Sequence, residues 1–144
     1  METPRHLDTA GLEHVSTAEC FVLLRSVPVG RIVYTDRALP AIMPVNFAVD
    51  GDDVVIRTGE GSKLAAAARG AIVAFEVDEF DERLASGWSV VIVGQAREVL
   101  DPDERARLLD LPLHPFAPGP HDHVIVIRPE MISGRRIGVR ALAS

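Results

Sequence analysis

Residues Val54 to Ala68 read VVIRTGEGSKLAAAA. The stretch passes from a strand through a glycine-rich turn into a helix. Val54, Val55 and Ile56 are β-branched and apolar, the composition of a short buried strand. Gly59 and Gly61 permit a tight turn and a close approach of the backbone to a ligand. Ser62 is placed to cap a helix, which the alanine-rich run Leu64 to Ala68 favours. Arg57, Thr58, Ser62 and Lys63 set two cations and two hydroxyls around that helix start, where free N–H groups carry partial positive charge. The combination suits a phosphate; the alternative is a solvated polar turn. Lys63 is the only lysine, beside fourteen arginines, and a compact ammonium meets a phosphate as a point charge.

On the N-terminal side, Ser16 and Glu19 have capping-box spacing, and Cys20, Leu23, Leu24 and Val27 follow on one helical face. Pro28 stops that helix. Val29 to Thr35 reads as a strand, Asp36 to Leu39 as a turn, and Ala41 to Val49 as a second strand. Pro44 lies inside it and implies an edge or a bulge. Asp50-Gly51 signals a hairpin into the strand at Val54. On the C-terminal side, Ala71 to Val77 is a strand, Asp78 to Gly87 an acidic connection, and Trp88 to Val99 a long strand. Gly94 marks a bulge or a close approach in that strand. Asp101 caps a short helix with Pro102 at its first position, running to about Leu109. Leu111 to His121 is a loop with four prolines. Val124 to Arg128 is a sixth strand, which Pro129 to Val139 extends or leaves. Six strands joined by hairpin logic, with few and unevenly placed helices, predict a mainly β fold. We expect a small six-stranded antiparallel β-barrel with a few short helices, because closing the sheet removes its apolar edges. One domain spans residues 1–144, with residues 1–15 as an N-terminal arm.

The bulk properties narrow the function. A chain of 144 residues that is 47% hydrophobic is globular. The formal net charge is -6 and the basic residues are scattered, so nucleic acid is not an expected partner. No apolar run reaches the length of a membrane span. Met1 to Arg5 is polar and predicts no secretory leader, which makes the cytoplasm the expected location. Cys20 stands alone and cannot form an intramolecular disulfide or a cysteine zinc cluster.

Catalytic groups are sparse. His121 and His123 have strand spacing, but no third ligand sits at a telling distance, so no metal is expected. Cys20 falls on an apolar helix face and reads as core. No serine occupies a nucleophile elbow. Glu76 is out of place in an apolar strand; an ion pair with an arginine such as Arg57 or Arg97 would explain it, and a place near a ligand is the alternative. Trp88 reads as core or interface. A phosphate cradle without an acid–base or nucleophilic team fits a protein whose chemistry is carried by a cofactor.

The order of these segments resembles a known family. Gly30–Arg31, PVNF at Pro44 to Phe47, the Asp-Gly hairpin, RTGEGSKL at Arg57 to Leu64, FEVD at Phe75 to Asp78 and GWSVVIVGQA at Gly87 to Ala96 are together similar to the pyridoxamine 5'-phosphate oxidase-like family of flavin-binding split β-barrels. The likeness runs from Glu19 to Ile137. It implies a homodimer with FMN in a groove at the subunit interface. It also implies residue roles. Arg57, Thr58, Ser62 and Lys63 match the phosphate-binding strand and turn, and Met43, Pro44, Val45 and Asn46 match the strand along the isoalloxazine ring. Trp88 and Ser89 match a flavin-proximal segment that a second subunit supplies, and Phe116 matches an aromatic position in the loop beside the pocket. The chain is shorter than the true oxidases, carries a lone lysine where they have an Arg-Lys pair, and has no counterpart of their substrate-binding tail. The resemblance therefore implies a scaffold and a cofactor, with the small-molecule substrate left open. An FMN-dependent oxidoreductase is the first expectation. A deazaflavin-dependent reductase and a non-catalytic flavin carrier are the alternatives.

Overall fold

The computed structural model describes residues 12–59, 63–83, 85–113 and 123–138. The elements run β1 (Glu13–Val15), α1 (Thr17–Leu24), β2 (Val29–Asp36), β3 (Leu39–Asp50), β4 (Asp53–Thr58), α2 (Lys63–Ala68), β5 (Ile72–Asp81), β6 (Ser86–Glu98), α3 (Pro102–Leu109) and β7 (His123–Ile137). The sheet order is β1-β7-β4-β3-β2-β5-β6, and β6 pairs back onto β7. Strands β2 to β7 therefore form the expected six-stranded antiparallel barrel. The short β1 lies outside the ring, against β7 at Gly134, Arg135 and Arg136. It takes up the end of the stretch expected to be an arm.

Local chemistry accounts for most boundaries. Ser16 caps α1, its hydroxyl accepting from the Glu19 N–H at 3.3 Å. The helix stops at Leu24, short of the expected Val27, where the Ser26 hydroxyl donates to the Leu23 carbonyl at 2.6 Å. A serine side chain competing for a backbone carbonyl disfavours another helical turn. Arg37 and Ala38, both at positive φ (52° and 65°), join β2 to β3. That is the backbone of a two-residue hairpin matched to strand twist. Gly51, at φ 62°, makes the expected turn between β3 and β4. The expected acidic connection after Val77 is a correction: β5 continues to Asp81, with Asp78 opposite Ser89 and Glu79 opposite Trp88. Its carboxylates are tolerated because Asp78 is outward-facing and paired with Arg31 at 2.9 Å.

Alternation along each strand fills the barrel. Ile32, Val45, Phe47, Val54, Ile56, Phe75, Val77, Val90, Ile92 and Ile127 are buried in one core cluster. Phe47 and Phe75 meet edge to face, with ring centroids 4.9 Å apart. Gly30 makes room for that pair, since a Cβ there would lie 2.3 Å from the Phe75 ring. A second cluster, with Val55, Val99, Leu108 and Val126, packs α3 on the outside. Among the described residues no helix is long and apolar enough to cross a membrane.

Gly94 decides the closure. The β6–β7 register shifts between Val93 and Gly94, where Val93 faces Met131 and Gly94 faces Pro129. A Cβ on Gly94 would lie 1.9 Å from the Arg128 carbonyl oxygen. Backbone cannot yield as a flexible side chain does, so Gly94→Ala should destabilise the fold by about 1–3 kcal/mol. Urea unfolding checks this, and an unchanged midpoint would contradict it.

Candidate functional site

Strand β3 outruns its neighbour β4. Residues 47–50 of β3 pair with β4, whereas pairing with β2 extends from Val29↔Asn46 to Asp36↔Leu39. Residues 39–46 are thus in a ladder on one side only. Phe47 donates its N–H to the Pro28 carbonyl at 3.3 Å. By alternation Met43 and Val45 also turn their N–H groups to β2, while Ile42 and Pro44 face the open edge. The N–H that Pro44 lacks is one no ladder would have used, which is why the strand runs through it unbroken. This is the edge expected from Pro44, and there is no bulge.

Side chains sort the same way. Met43 is half-buried against the core and Val45 is within it. Pro44 is exposed and Asn46 half-buried on the outer face, where Asn46 is not without a partner. On β4, Thr58 is buried with Ile56, and Arg57 shares the outer side with Val55. Arg57 and the open stretch of β3 therefore lie on one surface. Ser62 and Phe116 lie outside the described residues, as does Gly61.

Arg31, opposite Pro44 on β2, is paired with Glu76 and Asp78, but the cations expected at the phosphate lack carboxylates among the described residues. The Arg57 Nε is buried and has no hydrogen-bond partner. Leaving a donor of a charged group buried and unmatched costs about 1–3 kcal/mol or more. Elsewhere arginines find acids: Arg69 with Glu98, Arg97 with Glu104, Arg107 with Asp50 and Arg136 with Glu19. Among the described residues neither Arg57 nor Lys63 has such a partner. Lys63 opens α2, which spans six residues, so retention of an anion falls on side chains more than on the helix. A phosphate fits here because it gives the Arg57 Nε an acceptor.

Lys63 also lines a cleft of about 340 Å3 with Thr35, Asp36, Arg37, Ala66 and Ala67. A second cleft, of about 400 Å3, lies between the end of α1 and β3, lined by Leu24, Val27, Phe47, Val49 and Leu111 among others. Among the described residues its one cation, Arg25, donates to the Gly51 carbonyl at 2.6 Å.

Trp88 and Ser89 are on β6. In the ring β7-β4-β3-β2-β5-β6, β6 is three strands from β3 in either direction. At roughly 4.8 Å per strand, one chain cannot bring the two segments to the same small ring. Trp88 packs against the core.

Glu76 makes the expected ion pair with an arginine, but the partner is Arg31, at 3.2 Å, and not Arg57 or Arg97; Arg31 also holds Asp78. Cross-strand register makes the pair, with Arg31 opposite Glu76; register between strands so distant in sequence is not readable from composition. Burial first, and then the hydrogen bond and charge of Asp78, push the Glu76 carboxyl up to about 7. His123 Nδ1 lies 3.1 Å from Glu98 Oε1, while His121 is outside the described residues. Among the described residues no set of three or more ligating side chains is placed to hold a metal. Cys20 is core, as expected, and burial raises its thiol.

The sequence matches the family described as pyridoxamine 5'-phosphate oxidase over residues 16–136, and the chain belongs to that family. An uncharacterized protein of Mycobacterium tuberculosis is 45% identical over 124 residues, covering 83% of this chain and 81% of its own. Among solved structures, the FAD binding protein from Mycobacterium smegmatis is 40% identical with a TM-score of 0.74, covering 85% of this chain and 96% of that one. A Corynebacterium glutamicum protein is 35% identical with a TM-score of 0.77, covering 88% and 98%.

The Glu76 carboxyl binds its proton more tightly in the folded chain than when unfolded. That contribution is complete below about pH 4.5 and is lost as the pH rises through about 7. Glu76→Gln, neutral throughout, should raise Tm at pH 8 by about 2–5 °C and change it little at pH 5. Calorimetry at the two pH values checks this; a lower Tm at pH 8 would mean that the Arg31 pair outweighs the cost of burial.

Proposed function

We propose that this chain binds a flavin on the outer face beside the open edge of β3 and acts with it as an oxidoreductase on a small molecule. The observation that carries the proposal is the buried, unpartnered Nε of Arg57 next to a strand edge with no neighbour. Arg57 and Lys63 hold the flavin phosphate. The edge backbone between Ile42 and Asn46 lies along the ring, and Val45 supports that edge from the core. A bound flavin supplies the hydride chemistry for which the side chains have no equipment.

FMN is what the family resemblance implies, and FAD contains the same FMN half. The 40% identical Mycobacterium smegmatis protein binds FAD, so FAD is the form we favour, with FMN and a deazaflavin as rivals. Mass spectrometry of the chromophore that co-purifies with the protein separates the three.

A homodimer is the second part of the proposal. Ile42, Val33, Ala74, Val93 and Met131 are successive partners across five strands. Ile42 is 65% exposed and Met131 68%. An apolar row of that kind across an outer face marks an interaction surface. A second copy there also brings its own Trp88 and Ser89 toward the flavin, which one chain alone cannot do.

Lys63→Ala should weaken flavin binding by about 1.5–3 kcal/mol, the value of a charge-assisted hydrogen bond. Titration of the apo-protein reads this directly, and an unchanged dissociation constant would remove the phosphate assignment. Light scattering at micromolar concentration should give a dimer; a monomer that still holds flavin would contradict the shared site.

A further inference from the structure

We propose that the cleft between the β2–β3 hairpin and α2 takes the adenosine-phosphate arm of a dinucleotide flavin, with Arg37 as the cation for its second phosphate. The proposal rests on the flavin reading above and assigns residues that the reading leaves idle. The cleft is lined by Thr35, Asp36, Arg37, Lys63, Ala66 and Ala67. Its volume of about 340 Å3 falls at the small end of ligand sites, about 300–1,000 Å3, a size for half of a dinucleotide.

The charges point the same way. A monophosphate is met by Arg57 and Lys63. Arg37 adds a third cation, and among the described residues it has no ion pair, although Asp36 is its neighbour in sequence. Lys63, the first residue of α2, and Arg37 both line this cleft. A pyrophosphate lying between Lys63 and Arg37 would meet a cation at each phosphate. The other lining groups suit a nucleoside. Asp36 can accept from ribose hydroxyls, as carboxylates do in dinucleotide sites. Thr35 offers a hydroxyl, and the methyl groups of Ala66 and Ala67 form a small apolar floor for a base. The hairpin makes the arrangement possible. Arg37 sits at φ 52°, a conformation that β-branched residues avoid, in a turn held by the Asp36↔Leu39 pair.

Apo-protein titrated separately with FAD and with FMN tests the assignment. Two variants are compared with the natural chain: Arg37→Asn, which suits the positive φ, and Asp36→Ala, which removes the carboxylate assigned to the ribose hydroxyls. The expected result is tighter binding of FAD than of FMN by the natural chain. Each variant should lose about tenfold or more in FAD affinity, with FMN affinity within about twofold. Circular dichroism and the retained FMN affinity establish that the variants are folded. Equal affinity for FAD and FMN in the natural chain, or equal losses for both in the variants, would overturn the cleft assignment and leave the flavin site standing. Binding of neither flavin by the natural chain would overturn both.

Discussion

The barrel depends on the ladder that joins β6 to β7 and turns a sheet into a ring. Pairing runs from Gly87↔Ile137 to Glu98↔Ile125 with a register shift between Val93 and Gly94, and it resumes past the shift because Gly94 admits the Arg128 carbonyl where a side chain would stand. Once that seam is shut, the apolar strands have almost no edge left to expose. Openings remain at the half of β3 that β4 is too short to reach and where β2 and β5 pair only from Arg31↔Glu76 to Val33↔Ala74. Closure therefore does more than stabilise the chain: it limits where a ligand can meet backbone.

Two further features bear on an anionic ligand. The Arg57 guanidinium has a buried nitrogen without an acceptor, and the cations at Lys63 and Arg37 lack carboxylates among the described residues. In a chain of net charge -6 whose other arginines so often find acids, cations left unpaired among the described residues favour an anion. The open edge and the unpaired cations are independent consequences of the sequence. Their meeting on one outer face is what gives the flavin reading its weight.

Much of this was legible in the residues. β-Branched runs gave the strands, Asp50-Gly51 gave a hairpin, and Pro44 marked an edge because a missing N–H is tolerated where no ladder needs it. Gly94 announced a close approach for the complementary reason. Other parts were not legible, and each has a physical cause. The partner of Glu76 is set by the register of β2 on β5, strands separated by two others in sequence, so proximity along the chain gave no guide to Arg31. The hairpin at Arg37 and Ala38 contains no glycine, so the usual signal for positive φ was missing, and Arg37 passed unnoticed. The extension of β5 to Asp81 was hidden by its carboxylates, which a strand tolerates only when they face outward and find a cation.

The most direct measurement of the central claim is a crystal structure of the chain with its flavin bound. The account predicts the isoalloxazine ring along the backbone of residues 42–46 on the outer face, with polar ring atoms at roughly 2.7–3.2 Å from that edge and a phosphate on the Arg57 guanidinium. A flavin seated instead in the cleft between the end of α1 and β3, near Leu24, Phe47 and Leu111, with the edge of β3 bare, would contradict it.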